Sequence, residues 1–189
     1  FGDLMATGEG RLAITILAVG IAPVLEEFFF RGFIQRTMER RFGTGVCMET
    51  IKLGAQGPEV LELLTDPRVR RRARHVLTEM DRVDAAVAAL ERGEHAALGP
   101  LLDASHDSLR DDFEVSCEEL DLAVETCRRQ GALGARMTGA GFGGSAIALL
   151  PETAVEDATR AVSAAFEERG WPRPLCFRAP ASEGARRLR

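Results

Sequence analysis

The chain of 189 residues has no tyrosine, a single tryptophan, and aromatic residues at only 6% of its length. With a formal net charge of -5 and a pI near 5.4, it lacks both the basic surface and the stacking rings of a general nucleic-acid binder. Cys47, Cys117, Cys127 and Cys176 form no C-x-x-C pair, and no histidine stands beside them at zinc-ligand spacing. Buried free thiols are therefore expected, and a metal site is not. Asparagine is absent, and the only histidines are His75, His95 and His106. No uncharged apolar run reaches the about 20 residues that a spanning helix needs. Leu12 to Leu25 is apolar, but it lengthens only by taking in Glu26, Glu27 and Arg31. The N-terminal layout, Asp3 and Glu9 beside Arg11, does not read as a signal peptide.

Glycine, by contrast, is concentrated. Residues 134–144, Gly-Ala-Arg-Met-Thr-Gly-Ala-Gly-Phe-Gly-Gly, place five glycines in one turn that runs into the apolar stretch Ser145 to Leu150. Without side chains, backbone amides can approach an anion closely, so a nucleotide or sugar-phosphate site is one reading. Gly139, Gly141 and Gly144 also fit G-x-G-x-x-G, but that dinucleotide fingerprint needs a helix directly after the glycines. Here an apolar run ended by Pro151 follows instead. A plain glycine-rich hairpin is the competing structural reading.

The flanking residues add a resemblance. Arg72-Ala-Arg-His-Val76, the block Ala104 to Asp121 (Ala-Ser-His-Asp-Ser-Leu-Arg-Asp-Asp-Phe-Glu-Val-Ser-Cys-Glu-Glu-Leu-Asp), Gly134-Ala-Arg-Met-Thr138 with the glycine loop, and Gly184-Ala-Arg-Arg-Leu188 together resemble the C-terminal part of the galactokinases, sugar kinases of the GHMP group, over residues 66–189. The resemblance implies that Gly139, Ala140, Gly141, Phe142, Gly143 and Gly144 lie beside nucleotide phosphates, with ATP and Mg as cofactors, galactose as substrate and a cytoplasmic setting. It also exposes a gap. The family's sugar-binding string, Ser-rich phosphate loop and catalytic aspartate belong to its N-terminal half, and no matching string occurs in this chain. A separate N-terminal kinase half is thus an implied partner.

Residues 12–43 resemble something else. Pro23-x-x-Glu26-Glu27-x-x-x-Arg31-Gly32, followed by Gln35 and Arg41-Phe42-Gly43, is similar to the first motif of the CPBP (CAAX-processing) intramembrane metalloproteases. That likeness implies a water-activating Glu26, with Glu27 and Arg31 holding the site together. In a helix Glu27 and Arg31 are four apart, in the orientation that favours an ion pair. A charge pair between Ala-Pro-Val-Leu and Phe-Phe-Phe suits a functional relic, or an amphipathic anchor contacting a membrane through residues 12–34. The later histidines and asparagine that complete such a protease site have no counterpart here.

The spacing of apolar residues predicts helices near 67–91, 95–110, from Ser116 to Gly131, and from Val155 to Gly170, with strands near 134–138, 145–150 and 174–179. Val69, Ala73, Val76, Met80, Val83, Val87 and Leu90 read as one core-facing stripe, which puts Arg68, Arg70, Arg71, Arg72 and Arg74 on a wet face. Ser116 and Glu119 read as a capping box. His106 and Asp111 read as structural, and Trp171 as a packing residue. The expected fold is α+β: helices packed on a small antiparallel, ferredoxin-like sheet of the GHMP-kinase C-terminal kind, preceded by an apolar N-terminal helix. The expected domains are an apolar helical segment (1–43), a linker (44–65) and the kinase-like domain (66–189).

Overall fold

The computed structural model describes residues 12–19 and 59–179. Strands Leu12–Val19 (β1), Gly134–Thr138 (β2), Gly144–Pro151 (β3) and Leu175–Arg178 (β4) form one antiparallel sheet in the order β2-β3-β1-β4. The helices are Val60–Leu63 (α1), Pro67–Glu91 (α2), Leu98–Asp111 (α3), Glu118–Arg129 (α4) and Val155–Glu168 (α5). With α4 and α5 as the crossing helices, this is the βαββαβ order of a ferredoxin-like fold, and α1 to α3 are added between β1 and α4. The α+β expectation holds.

The core lies between the sheet and the two crossing helices. Leu120, Ala123, Val124 and Cys127 of α4 and Val155, Ala158, Val162 and Phe166 of α5 meet Ala135, Met137, Ala146, Ala148 and Leu150 of the sheet. The β3 members alternate, as the two-residue period of a strand requires. Trp171 packs edge-on against Phe166 with ring centroids 5.5 Å apart, so the lone tryptophan has the packing role expected of it. Helix α2 starts where Asp66 accepts hydrogen bonds from the Arg68 and Val69 amides, with Pro67 in its first turn.

Three expectations need correction. First, the apolar run expected to be helical is a strand over Leu12–Val19: it pairs with β3 from Leu12↔Pro151 to Val19↔Gly144, and with β4 from Thr15↔Arg178 to Ala18↔Leu175. A short run that is apolar at nearly every position suits a central strand as well as a buried helix, and periodicity cannot separate them. Ile14, Thr15, Ile16 and Val19 tilt the balance, because β-branched residues favour the strand. Residues 20–58, which hold Glu26, Glu27, Arg31 and most of the expected linker, lie outside the described residues.

Second, the apolar stripe of α2 does not face the core. Ala73 is buried, but Val69, Met80, Val83, Val87 and Leu90 are exposed. The helix turns a more polar face inward: His75 Nδ1 lies 3.0 Å from Ser108 Oγ, and Glu79 Oε1 accepts from Ser105 Oγ at 2.6 Å and from Arg136 Nη1 at 3.0 Å. Burying those groups is favourable only because they are paired. Arg71, Arg72 and Arg74 in turn bond to Glu114 and Asp112 across the helix flank.

Third, Ser116 is not the cap of α4. Cys117 holds that position without a side-chain cap, and Ser116 Oγ bonds to Asp121 Oδ1 at 2.5 Å.

The packing sorts substitutions cleanly. Phe166→Ala should cost about 3–5 kcal/mol in urea unfolding, because its ring is enclosed between α4 and the sheet. Val83→Ala should stay within about 0.5 kcal/mol, since its side chain is half exposed. Equal effects would contradict this division of core and surface.

Candidate functional site

The glycine loop is the turn of the β2–β3 hairpin, so no helix follows Gly144 and the dinucleotide fingerprint does not apply. Gly139, Gly141, Gly143 and Gly144 all have positive φ. At Gly141 the need for glycine is also spatial, since a Cβ there would meet the Val115 carbonyl oxygen at 2.4 Å. Of the six residues expected to face a phosphate, Phe142 is set apart: its amide already donates to Val115 O at 2.7 Å, and its side chain is 69% exposed. That amide is engaged within the fold and is not a free donor. Gly144 is paired with Val19 in the sheet, so the amides of Gly139, Ala140, Gly141 and Gly143 are the remaining candidates.

The polar block before the loop serves the sheet. Strand β2 is an edge strand, and an unpaired edge exposes a row of backbone groups. Side chains of α3 and α4 fill that row. Asp103 Oδ1 accepts from the Ala135 amide at 2.8 Å, His106 Nδ1 accepts from the Met137 amide at 3.2 Å, and Arg128 Nη2 donates to Ala135 O at 3.3 Å. Arg128 Nε also bonds to Asp103 Oδ1 at 2.7 Å, which ties the two helices together. The close fit of α3 to this edge requires Gly99, where a Cβ would lie 2.0 Å from Leu133 O.

His106 is therefore structural, as its sequence context suggests. Because Nδ1 accepts a backbone proton, Nε2 carries the ring hydrogen, 3.3 Å from Asp121 Oδ1 but without the angle of a good hydrogen bond. Asp111 is spent on a surface pair with Arg110. Among the described residues, no cluster of His, Cys, Asp and Glu could hold a metal ion. Cys117, Cys127 and Cys176 are free thiols, and burial pushes the Cys127 thiol up to about 12, far from a reactive thiolate.

Strand order and crossing helices are those of a ferredoxin-like α+β fold, the fold of the GHMP-kinase C-terminal domain. Residues 86–168 match the family model for the GHMP kinases C terminal, and the relatives of this domain are galactokinases. The galactokinase of Streptomyces coelicolor is 54% identical over 129 residues, which cover 68% of this chain and 33% of that protein. That of Mycobacterium tuberculosis is 46% identical over 134 residues, 71% of this chain and 37% of the relative. The crystal structure of Lactococcus lactis galactokinase complexed with galactose superposes with a TM-score of 0.75 at 34% identity, covering 94% of this chain and 47% of that one. The chain thus spans about a third of the length of the galactokinases it matches. Residues 8–55 match a different family model, Type II CAAX prenyl endopeptidase Rce1-like. The two resemblances read from the sequence are both present, joined in one chain.

The buried histidines set a pH dependence. Burial holds His106 and His75 below the ordinary imidazole value of 6.5, because the charged ring loses its solvent. Below pH 6.5 the unfolded chain binds protons that the native state does not, so stability falls as the pH drops below that value. The urea midpoint should be lower at pH 5.5 than at pH 7.5, with a smaller drop in His106→Asn. A midpoint that is flat or rises toward low pH would contradict the assignment.

Proposed function

We propose that these residues are the glycine-loop-bearing C-terminal part of a galactokinase-like sugar kinase, catalytically incomplete by themselves. One observation carries this reading: the galactokinase relatives match over two thirds of the chain but only about a third of their own length. In a complete enzyme of this kind, the γ-phosphate of ATP would pass to the 1-hydroxyl of galactose, with positioning and electrostatic stabilisation supplying most of the catalysis. Gly139, Ala140, Gly141 and Gly143 would contribute backbone donors to the phosphates. By the family resemblance, the metal ligands, the base and the sugar contacts would come from an N-terminal kinase half, the expected partner. A cytoplasmic setting goes with that role.

A second reading, a membrane-attached module or a relic of a CPBP protease, is favoured by the match over residues 8–55. Against it, Leu12–Val19 is taken up by the sheet. Peptide cleavage that is lost in Glu26→Ala and on chelation would restore it.

The purified chain, given Mg-ATP and galactose, should release no galactose-dependent ADP. Addition of a separately expressed N-terminal two-thirds of a galactokinase relative should produce such release, and Gly141→Asp should abolish it, because that position has no room for a side chain. Release by the chain alone would contradict the claim that catalytic groups are missing. No release in the mixture would count against the kinase reading.

A further inference from the structure

Glu114 and Phe142 are the two residues other than glycine with positive φ among the described residues, at 57° and 59°. Side chains disfavour this left-handed region, and a residue held there is held by its surroundings. The two stand on either side of one hydrogen bond, from the Phe142 amide to the Val115 carbonyl at 2.7 Å.

The segment from Asp112 to Glu114 is clamped to α2 at each step. Arg74 bonds to Asp112 at 3.0 Å. Phe113 stacks on His75 with ring centroids 4.7 Å apart, and the Arg72 guanidinium lies 5.4 Å from the ring centre. Both oxygens of Glu114 are taken, Oε1 by Arg71 at 2.9 Å and Oε2 by Arg72 at 2.7 Å. Charge-assisted bonds to both oxygens fix a carboxylate in orientation as well as in place. Val115 is buried, and its amide donates to Leu109 O at 3.0 Å. Its carbonyl oxygen lies only 2.4 Å from where a Cβ on Gly141 would be.

We propose that Glu114 is a positioning residue for the glycine loop: gripped by Arg71 and Arg72, it turns the chain so that the Val115 carbonyl anchors the Phe142 amide and sets the loop shape that meets a phosphate. The last step rests on the reading of Gly139 to Gly144 as a phosphate loop; the anchoring itself does not. Arg71 and Arg72 thereby act through a carboxylate and not as ligands of the phosphate. The exposed Phe142 side chain is a by-product of spending its amide on the anchor.

Amide hydrogen exchange on the full chain tests the anchoring. Glu114→Gln keeps the shape of the side chain and removes its charge, and the double variant Arg71→Met/Arg72→Met removes the grip from the other side. In each, exchange of the Phe142 amide should accelerate about tenfold or more, while amides in α4 and β3 keep their protection. Asp112→Asn, in the same segment but not bonded to Glu114, should leave Phe142 unchanged. Unchanged Phe142 protection in both Glu114→Gln and the arginine double variant would overturn the proposal. Titration with ADP, followed by the amide signals of Gly139, Gly141 and Gly143, tests the rest: the dissociation constant should weaken about fivefold or more in Glu114→Gln. If ADP moved none of those signals in the unmodified chain, the phosphate-loop reading would fail, and the anchoring would stand or fall on the Phe142 exchange alone. If ADP bound equally well to Glu114→Gln despite lost protection, the link from anchor to phosphate would be overturned.

Discussion

Strand β1 is paired along both of its edges, with β3 over its whole length and with β4 over Thr15 to Ala18, and the remaining order depends on that. Strand β4 has no other partner in the sheet. Remove β1, and β4 loses its only ladder while β3 becomes an edge. The face that α4 and α5 cover would then be bounded by unpaired backbone, which costs free energy wherever water cannot replace the lost bonds. The strand lies within residues 8–55, the stretch that matches the Rce1-like family, while the sheet it completes belongs to the kinase-like part. The stretch that matches the Rce1-like model therefore supplies the central strand of the sheet and is not an appendage separate from it.

The opposite edge of the sheet is finished by side chains. Asp103, His106 and Arg128 occupy the backbone groups of β2 that another strand would otherwise take. The block from Ala104 to Asp121 thus has two tasks, and both concern support for the hairpin. Its first half supplies His106, which seals the edge of β2 together with Asp103 and Arg128 on either side of the block, and its second half, through Glu114 and Val115, reaches the loop at the hairpin's end.

Much of this was legible from the residues. Gly93 and Gly170 mark the ends of α2 and α5, and the three- and four-residue spacing of Val155, Ala158, Val162, Ala165 and Phe166 predicts a face that is buried except at the partly buried Ala165. The strands around the glycine loop lie where their apolar runs predict. The misread features have specific causes. Periodicity shows that Met80, Val83, Val87 and Leu90 share a face, but not which way the face points, and paired polar groups took the inner side of α2. The run at Leu12–Val19 suits helix and strand alike until its neighbours are known. A left-handed Glu114 carries no signal in sequence at all, because its conformation is imposed by two arginines some forty residues earlier. Ser116 offered a capping box, yet its hydroxyl found the Asp121 carboxylate instead.

The most direct test of the completed sheet is urea unfolding of Thr15→Pro, with Thr15→Val as control. Proline at the centre of a strand that is paired on both sides removes a ladder hydrogen bond and is not tolerated there. If β1 completes the sheet, Thr15→Pro lowers the unfolding midpoint of the whole kinase-like domain sharply, and Thr15→Val leaves it nearly unchanged. A midpoint for Thr15→Pro equal to that of the unmodified chain would mean that the domain stands without β1, and the account of a sheet completed by β1 would be wrong.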